Sequence, residues 1–180
     1  MIRAASMEDA GQLSDIYRPF CEDSCVSFET EAPGPGEMAA RIERIQRKFP
    51  WLVDEREGRV AGYAYASPHR ERAAYRWAVE VTVYVHEAHR GRGVGRALYT
   101  ELFARLRSQG LFKAYAGILV PNPASQRFHE SMGFTLVGVY SRIGYKLGAW
   151  RDVGWWQYSI QPEIDEPPEP RYLEGMAPQA

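Results

Sequence analysis

Hydrophobic and polar positions follow two periods along this chain, and these periods predict an ordered series of strands and helices. Residues 79–85 are largely β-branched or aromatic and alternate between two faces, which is typical of a buried strand. Residues 94–106 carry valine or leucine at every fourth position, which is typical of an amphipathic helix. A central strand therefore leads into a central helix.

The same periods predict the elements on either side of this centre. The predicted strands cover residues 2–5, 51–55, 60–66, 79–85, 114–119, 134–146 and 152–160. The predicted helices cover residues 6 to about 22–24, 37–48, 94–106 and 124–132. Residues 56–59 join the second and third strands as a hairpin, and residues 147–151 join the last two.

The resulting order, β-α-α-β-β-β-α-β-α-β-β, predicts an α/β (α+β) fold with a mixed central sheet of about seven strands and helices on both faces. We expect one domain over residues 1–160. Residues 161–180 form an acidic, proline-rich tail, which we expect to be extended or disordered.

A glycine-rich segment, Arg90-Gly91-Arg92-Gly93-Val94-Gly95, lies between the central strand and the central helix. Glycine permits positive φ and close approach to the backbone, and a helix N-terminus presents unpaired amide donors. These features predict a site for phosphate oxygens. The segment lacks the Gly-Lys-Ser/Thr end of a P-loop and the early chain position of a dinucleotide fingerprint. A glycine-rich turn without a ligand is the alternative.

Composition limits the classes of function. The chain has 180 residues, of which 45% are hydrophobic, so it can form one domain with a full core. Its net charge of -1 gives no general attraction to nucleic acid or to an anionic membrane. Neither a long apolar run nor a secretory leader is present, so we expect a cytoplasmic protein without membrane spans.

Neither the two cysteines nor the histidine pair His86 and His89 indicates a metal site. Cys21 and Cys25 are one helical turn apart without zinc-spaced partners, so we expect reduced thiols. His86 and His89 are spaced like metal ligands but lack a third ligand, so we expect a solvated loop and no metal.

The pattern Arg-x-x-Gly-x-Gly over residues 90–95 resembles the pyrophosphate-binding signature of the GNAT superfamily of N-acetyltransferases. Further segments resemble one subgroup, the phosphinothricin and methionine sulfoximine N-acetyltransferases. These segments are residues 24–31, 49–53, 62–66, 75–80, 82–85, 121–125, 129–134 and 144–153. The resemblance extends to about residue 160. It implies acetyl-coenzyme A as co-substrate, a small amino-acid-like amine as acceptor, and a homodimer with the last strands near the partner.

Acetyl transfer to an amine requires a base. An α-amino group with a pKa of about 8 is largely protonated at neutral pH, whereas only the free amine attacks a thioester. Glu80 begins the central strand, and its carboxylate could take the proton directly or through one water. The alternative is a charged residue at a strand end that is held in a salt bridge.

His129 is the second catalytic candidate. Many GNAT enzymes have a tyrosine at the equivalent place, where it can protonate the departing thiolate, and the subgroup has a histidine there. A histidine could act as this acid or help to take the amine proton, because its pKa lies near neutrality. The alternative is a half-buried helix histidine bound to a backbone carbonyl.

The resemblance also implies a coenzyme site. Backbone groups of Val83 and Val85 would pair with the pantetheine arm, and the Val83 amide would face the oxyanion. Residues 91–96 would hold the pyrophosphate. Asn122 would contact the arm, although Asn-Pro also commonly caps a helix. The full set of predicted coenzyme-binding residues is Val83, Tyr84, Val85, Arg90, Gly91, Arg92, Gly93, Val94, Gly95, Arg96, Asn122 and Ser125.

Substrate recognition is predicted to involve Phe28 as an apolar wall and Arg72 and Tyr75 before the central strand. Arginine suits a carboxylate or an oxygen-rich tetrahedral group because it donates in a bidentate manner. Solvated surface arginines are the alternative. The chain departs from the subgroup at Arg76 and at residues 18–20, so its natural substrate could differ.

Two rival functions therefore stay open. One is acetylation of a protein N-terminus or an unrelated amine. The other is a non-catalytic module that binds acyl-coenzyme A.

Overall fold

A computed structural model describes residues 1–173 of the chain. The described residues form one mixed sheet in the order β1-β2-β3-β4-β5-β7-β6, with four α-helices. The strands are β1 (Ile2–Ala4), β2 (Trp51–Arg56), β3 (Arg59–Pro68), β4 (Ala78–Val85), β5 (Lys113–Val120), β6 (Thr135–Lys146) and β7 (Ala149–Ser159). The helices are α1 (Ala10–Glu22), α2 (Pro35–Gln46), α3 (Val94–Ser108) and α4 (Pro123–Ser131). The predicted order and fold class are confirmed.

Element boundaries differ from the prediction where turn chemistry decides them. Helix α2 begins two residues before the predicted start because Pro35 suits the first helical position and Gly34 is extended before it. The predicted connection over residues 147–151 shortens to a turn of Leu147 and Gly148, both with positive φ. Two residues with positive φ match the right-handed twist of the paired strands, so β6 and β7 continue to the turn itself.

The sheet is covered on both faces. Helix α3 packs on one face through Leu98 and Leu102, which are fully buried with Val79 of β4. Helices α1 and α2 cover the opposite face through Leu13 and Ile42. Alternation along β4 therefore directs every second side chain toward α3 and the others toward α1 and α2.

The pairing between β4 and β5 positions the site. These strands are parallel but pair only where Ala78, Val79 and Glu80 lie opposite residues 113–115. Beyond Glu80 the two strands diverge, and α3 begins shortly after β4 ends. A cleft therefore opens between the carboxyl-terminal halves of the two central strands.

The first part of the tail is extended, as predicted, but it packs against the domain. Trp77 Nε1 donates to the Pro168 carbonyl at 2.8 Å, and the Arg171 amide donates to the Gln109 carbonyl at 2.8 Å. The Tyr172 ring contacts Phe49 with ring centroids 5.5 Å apart. The predicted disorder therefore does not apply to residues 161–172. Residues 174–180 lie outside the described residues.

Helix α1 ends at Glu22, within the predicted range, so Cys25 lies outside the helix. Cys21 is buried in α1, Cys25 lies in the following loop, and both are free thiols. Within residues 1–173, no helix has both the length and the apolar character needed to cross a membrane.

Candidate active site

The glycine-rich segment has the backbone conformation of an anion site. Gly91 and Gly93 have φ values of 71° and 78°, which L-residues with a Cβ rarely adopt. Gly93 is the N-cap of α3 and provides no side-chain cap, so the first amides of this 15-residue helix have no intrahelical acceptor. Such amides, together with the helix dipole, fit the phosphate groups of a coenzyme.

The three arginines of this segment have different surroundings. The Arg90 guanidinium lies over the Phe20 ring, 5.2 Å from its centroid, and Arg92 is exposed. Arg96 Nη2 donates to Ser131 Oγ at 2.9 Å and so connects α3 to the end of α4. Arg90 and Arg92 are therefore the side chains best placed to neutralise a bound phosphate, whereas Arg96 already has a partner.

One edge of β4 carries backbone groups that face the cleft. The His86 amide donates to the Ala61 carbonyl of β3 at 3.0 Å. Because backbone groups alternate sides along an antiparallel strand, those of Val85 and Val83 point away from β3. The β4–β5 ladder ends at Glu80, so this edge is available to an extended ligand. The geometry fits the pantetheine arm predicted at Val83 and Val85.

The facing wall of the cleft comes from the start of α4. Asn122 Oδ1 accepts the Ser125 amide at 3.2 Å, so Asn122 caps the helix, as the alternative interpretation expected. Asn122, Ser125 and His129 line a small cavity of about 90 Å³ together with Thr82 and Val83. The Tyr84 backbone also borders this cavity, but its ring packs against Tyr17 and Phe20 on the other face of the sheet.

His129 is buried, with 5% of its surface exposed, and both ring nitrogens have partners. Nδ1 lies 2.8 Å from the Ser125 carbonyl oxygen, which can only accept, so Nδ1 carries a proton. Nε2 lies 3.1 Å from the Tyr99 hydroxyl, which donates to it. Burial lowers the pKa of His129 against the opposing effect of the Ser125 hydrogen bond. This arrangement matches the structural alternative for His129, and its catalytic role stays a prediction.

Glu80 lies where the cleft begins, on the face of β4 opposite to Val79 and Val81. Its side chain is 33% exposed. Oε1 lies 3.1 Å from His69 Nδ1 and 3.7 Å from Arg70 Nη1. Burial raises the pKa of Glu80, and the Arg70 charge opposes this effect. A carboxylate with a raised pKa is a stronger base, so burial makes Glu80 a better proton acceptor than an exposed glutamate.

The loop that carries Phe28 is fixed by a buried lysine. Lys146 Nζ, at the end of β6, donates to the backbone carbonyls of Cys21, Ser27 and Glu29. The Phe28 ring then lies directly over Gly144, where a Cβ would come within 2.2 Å of the ring. Gly144 is therefore required for this position of Phe28.

Comparison with known proteins identifies the family of this chain. The model of the acetyltransferase (GNAT) family matches residues 12–134, which is more than half of the chain. This chain belongs to the GNAT acetyltransferase family. The phosphinothricin N-acetyltransferase of Streptomyces viridochromogenes is 44% identical to it over 169 residues, covering 94% of this chain and 91% of that protein.

Other relatives agree with this assignment. The L-methionine sulfoximine/L-methionine sulfone acetyltransferase of Salmonella typhimurium is 34% identical over 88% of this GNAT chain and 94% of that protein. A crystal structure of a GNAT superfamily phosphinothricin acetyltransferase from Sinorhizobium meliloti in complex with acetyl-coenzyme A has a TM-score of 0.90. It is 34% identical and covers 97% of this chain and 96% of its own.

The GNAT fold brings together most, but not all, of the predicted residues. The glycine-rich segment, the β4 edge, Asn122, Ser125 and His129 all border the cleft. Arg72 and Tyr75 instead line a groove of about 480 Å³ with Arg70 and Tyr172, and Phe28 is not among the lining residues of this groove. The Arg72 side chain is exposed and, within residues 1–173, makes no hydrogen bond or ion pair.

Sequence reasoning missed two residues that lie beside Glu80, His69 and Arg70. Both follow β3, whose register pairs Ser67 with Glu80. The observed pairing of β3 with β4 brings the residues that follow Ser67 to Glu80, and the sequence pattern gave no signal for this register. Among the described residues, no group of three or more His, Cys, Asp or Glu side chains could hold a metal ion.

Proposed function

We propose that this enzyme transfers an acetyl group from acetyl-coenzyme A to the amino group of a small amino-acid-like substrate. Phosphinothricin, methionine sulfoximine and methionine sulfone are the proposed class. The observation that carries the proposal is Glu80, a carboxyl with a raised pKa at the opening of the cleft, directly beside Arg70. Relatives named for these compounds align with nearly the whole chain.

The coenzyme would be held by backbone more than by side chains. Acetyl-coenzyme A supplies an acetyl thioester that an amine can attack. Residues 91–96 would bind its pyrophosphate through the N-terminal amides of α3, with Arg90 and Arg92 balancing the charge. The exposed β4 edge at Val83 and Val85 would pair with its amide-containing arm as one strand pairs with another.

Proton transfer would begin at Glu80. Its carboxylate accepts a proton from the substrate ammonium group, directly or through one water, and leaves a free amine. The Val83 N–H, on the edge facing the cleft, would donate to the acetyl oxygen as negative charge develops there. Arg70 and Arg72 would bind the substrate carboxylate or its phosphinic or sulfoximine oxygens.

His129 fits a supporting role better than that of a proton donor, because neither of its nitrogens is free. His129→Gln distinguishes the two roles. If His129 only supports the structure, the variant should have a lower melting temperature and a kcat within about threefold of the parent. If His129 is the catalytic acid, kcat should fall by about 100-fold. A drop in kcat of that size without loss of stability would establish His129 as catalytic.

We further propose that the enzyme is a homodimer whose subunits meet at β6. Among residues 1–173 this strand lies at the edge of the sheet, where its backbone groups pair with another strand on one side only. Most residues of β6 are exposed, and the strand, the adjoining turn and β7 carry exposed large apolar side chains. These are Leu136, Val137, Val139, Tyr140, Ile143, Tyr145, Leu147 and Trp150. An apolar edge of this extent suits a second copy of the chain.

Light scattering during size-exclusion chromatography tests the dimer. The parent should elute with twice the monomer mass, and Val139→Lys with Ile143→Lys should reduce the mass to one chain. A parent protein that stays monomeric at 100-fold dilution and at high concentration alike would contradict the dimer.

Glu80→Gln tests the proposed reaction. With methionine sulfoximine as acceptor, kcat should fall by about 100-fold or more while the KM for acetyl-coenzyme A changes little. The parent's kcat should fall at low pH, where Glu80 becomes protonated, and this fall, the acidic limb of the pH profile, should be absent from the remaining rate of Glu80→Gln. Unchanged turnover at every pH would refute the base role, and binding of acetyl-coenzyme A without turnover in the parent would support the non-catalytic module.

A further inference from the structure

His69 is a partly buried histidine beside Glu80 in the candidate active site, and none of the family-like segments includes it. Its side chain is 15% exposed. The ring stacks on Tyr115 of β5, with centroids 4.4 Å apart and planes at 18°. It also has edge contacts with Trp155 of β7 and with Tyr75. These aromatic neighbours fix the plane of the imidazole and direct Nδ1 to Glu80.

The contact between His69 and Glu80 is a hydrogen bond whose proton can be assigned. Nδ1 and Oε1 lie 3.1 Å apart, and two lone pairs would repel each other at this distance, so a proton lies between them. Burial and the charge of Arg70 lower the pKa of His69, which favours a neutral ring. When Glu80 is ionised, as its role as a base requires, the arrangement that satisfies both conditions is a neutral imidazole that donates its Nδ1–H to the Glu80 carboxylate.

The two oxygens of Glu80 consequently differ. Oε1 faces both His69 and the Arg70 guanidinium, whereas Oε2 accepts no hydrogen bond from any described residue. The carboxylate is thus held through Oε1, and Oε2 is available to a substrate. The titratable and charged groups that face His69 are Glu80 of β4, Arg70 of its own segment, Tyr115 of β5 and Tyr75 of the following turn.

We propose that His69 is a positioning residue that holds Glu80 through Oε1, so that Oε2 is the atom that accepts the amine proton. This inference rests on the proposed function. In the step, an N–H bond of the substrate ammonium breaks and an Oε2–H bond forms. The electron pair stays on nitrogen for attack on the thioester carbonyl. The C–S bond then breaks with its electron pair on sulfur, the acylated nitrogen gives its second proton to the departing thiolate, and Glu80 returns the first proton to solvent. His69 keeps its own proton throughout.

Two substitutions separate the hydrogen bond from the stacking. His69→Phe keeps an aromatic ring against Tyr115 but removes the donor. His69→Gln removes the ring but keeps an N–H donor that can reach Glu80. Steady-state kinetics would be measured from pH 5.5 to pH 9.5 with whichever amine the parent acetylates best, and the KM for acetyl-coenzyme A would be measured alongside.

We expect the two variants to differ in kcat and in the pH dependence of kcat. His69→Phe should lower kcat by about 10- to 100-fold, leave the KM for acetyl-coenzyme A within about twofold, and move the acidic limb to higher pH. That limb moves because a lost hydrogen bond to the charged form raises the pKa of Glu80. His69→Gln should restore most of kcat and return the limb toward its parent position. Equal loss in both variants, or no loss in either, would overturn the proposal.

A second measurement is independent of the substrate. Nitrogen-15 NMR of the parent without amine should show a neutral His69 ring protonated at Nδ1, and Glu80→Leu should abolish this preference. Protonation at Nε2 alone would overturn the proposal even in an active enzyme. If the parent acetylates no amine, the proposed function fails, and the NMR result still decides whether His69 donates to Glu80.

Discussion

Replacing Lys146 with methionine is a stringent test of how the loop that carries Phe28 is held in place. The ammonium group is buried and donates three hydrogen bonds, to the carbonyls of Cys21, Ser27 and Glu29. Methionine has a similar length and volume but no donor. The substitution therefore leaves three carbonyls of the loop without their partner while largely preserving the packing of the side chain.

The size of the effect follows from two opposing contributions. Each hydrogen bond from a charged donor stabilises by about 1.5–3 kcal/mol. Removing the buried cation also removes its desolvation cost of several kcal/mol. The net loss should be about 3 kcal/mol, which corresponds to a fall in melting temperature of about 6–12 °C for a domain of this size.

Urea unfolding followed by tryptophan fluorescence measures this loss, and Lys113→Met is the matched control. Lys113 Nζ contacts Ser159 and Glu163 at the surface, so its removal should cost less than about 1 kcal/mol. Lys146→Met should also raise the KM for the amine, because the loop carries Phe28, and leave the KM for acetyl-coenzyme A unchanged. Equal stability of Lys146→Met and the control would refute the reasoning.

Three further predictions concern other parts of the site. Since burial raises the folded-state pKa of Glu80, its ionisation reduces stability as pH rises through that range. Glu80→Gln should therefore melt no lower than the parent at pH 8, with the advantage disappearing toward pH 4 in calorimetric scans; a lower melting temperature at pH 8 would contradict the shift. Gly93→Ala forces a Cβ into a left-handed conformation at a cost of about 1–2 kcal/mol and should raise the Kd for coenzyme A several-fold by titration calorimetry. Gly144→Ala should displace the Phe28 ring and raise the amine KM alone, whereas Gly138→Ala in the same strand has open space around it and should change neither binding constant.

The sequence pattern predicted the secondary-structure elements and turns whose conformation depends on neighbouring residues. The alternation in β4 and the fourfold spacing in α3 depend only on residues that are close in sequence. Both elements were therefore predicted within one or two residues of their observed bounds. The turn at Gly91 and Gly93 was recognisable because positive φ favours glycine.

Residues that act across the fold were harder to predict. His69 and Arg70 reach Glu80 only because β3 and β4 pair in a particular register, which the hydrophobic pattern alone does not specify. Lys146 has no periodic signal, since its partners are backbone carbonyls more than 100 positions away in sequence. The tail was judged from composition, yet Trp77 and Phe49 provide contacts for it that composition cannot reveal.

The most direct test of the proposed function is the release of free coenzyme A from acetyl-coenzyme A in the presence of a panel of amines. The panel contains phosphinothricin, methionine sulfoximine, methionine sulfone, the ordinary amino acids and a short peptide with a free N-terminus. We predict turnover with one or more of the first three compounds and little or none with the peptide. Turnover with the peptide alone, or tight binding of acetyl-coenzyme A without release from any amine, would contradict the proposed function.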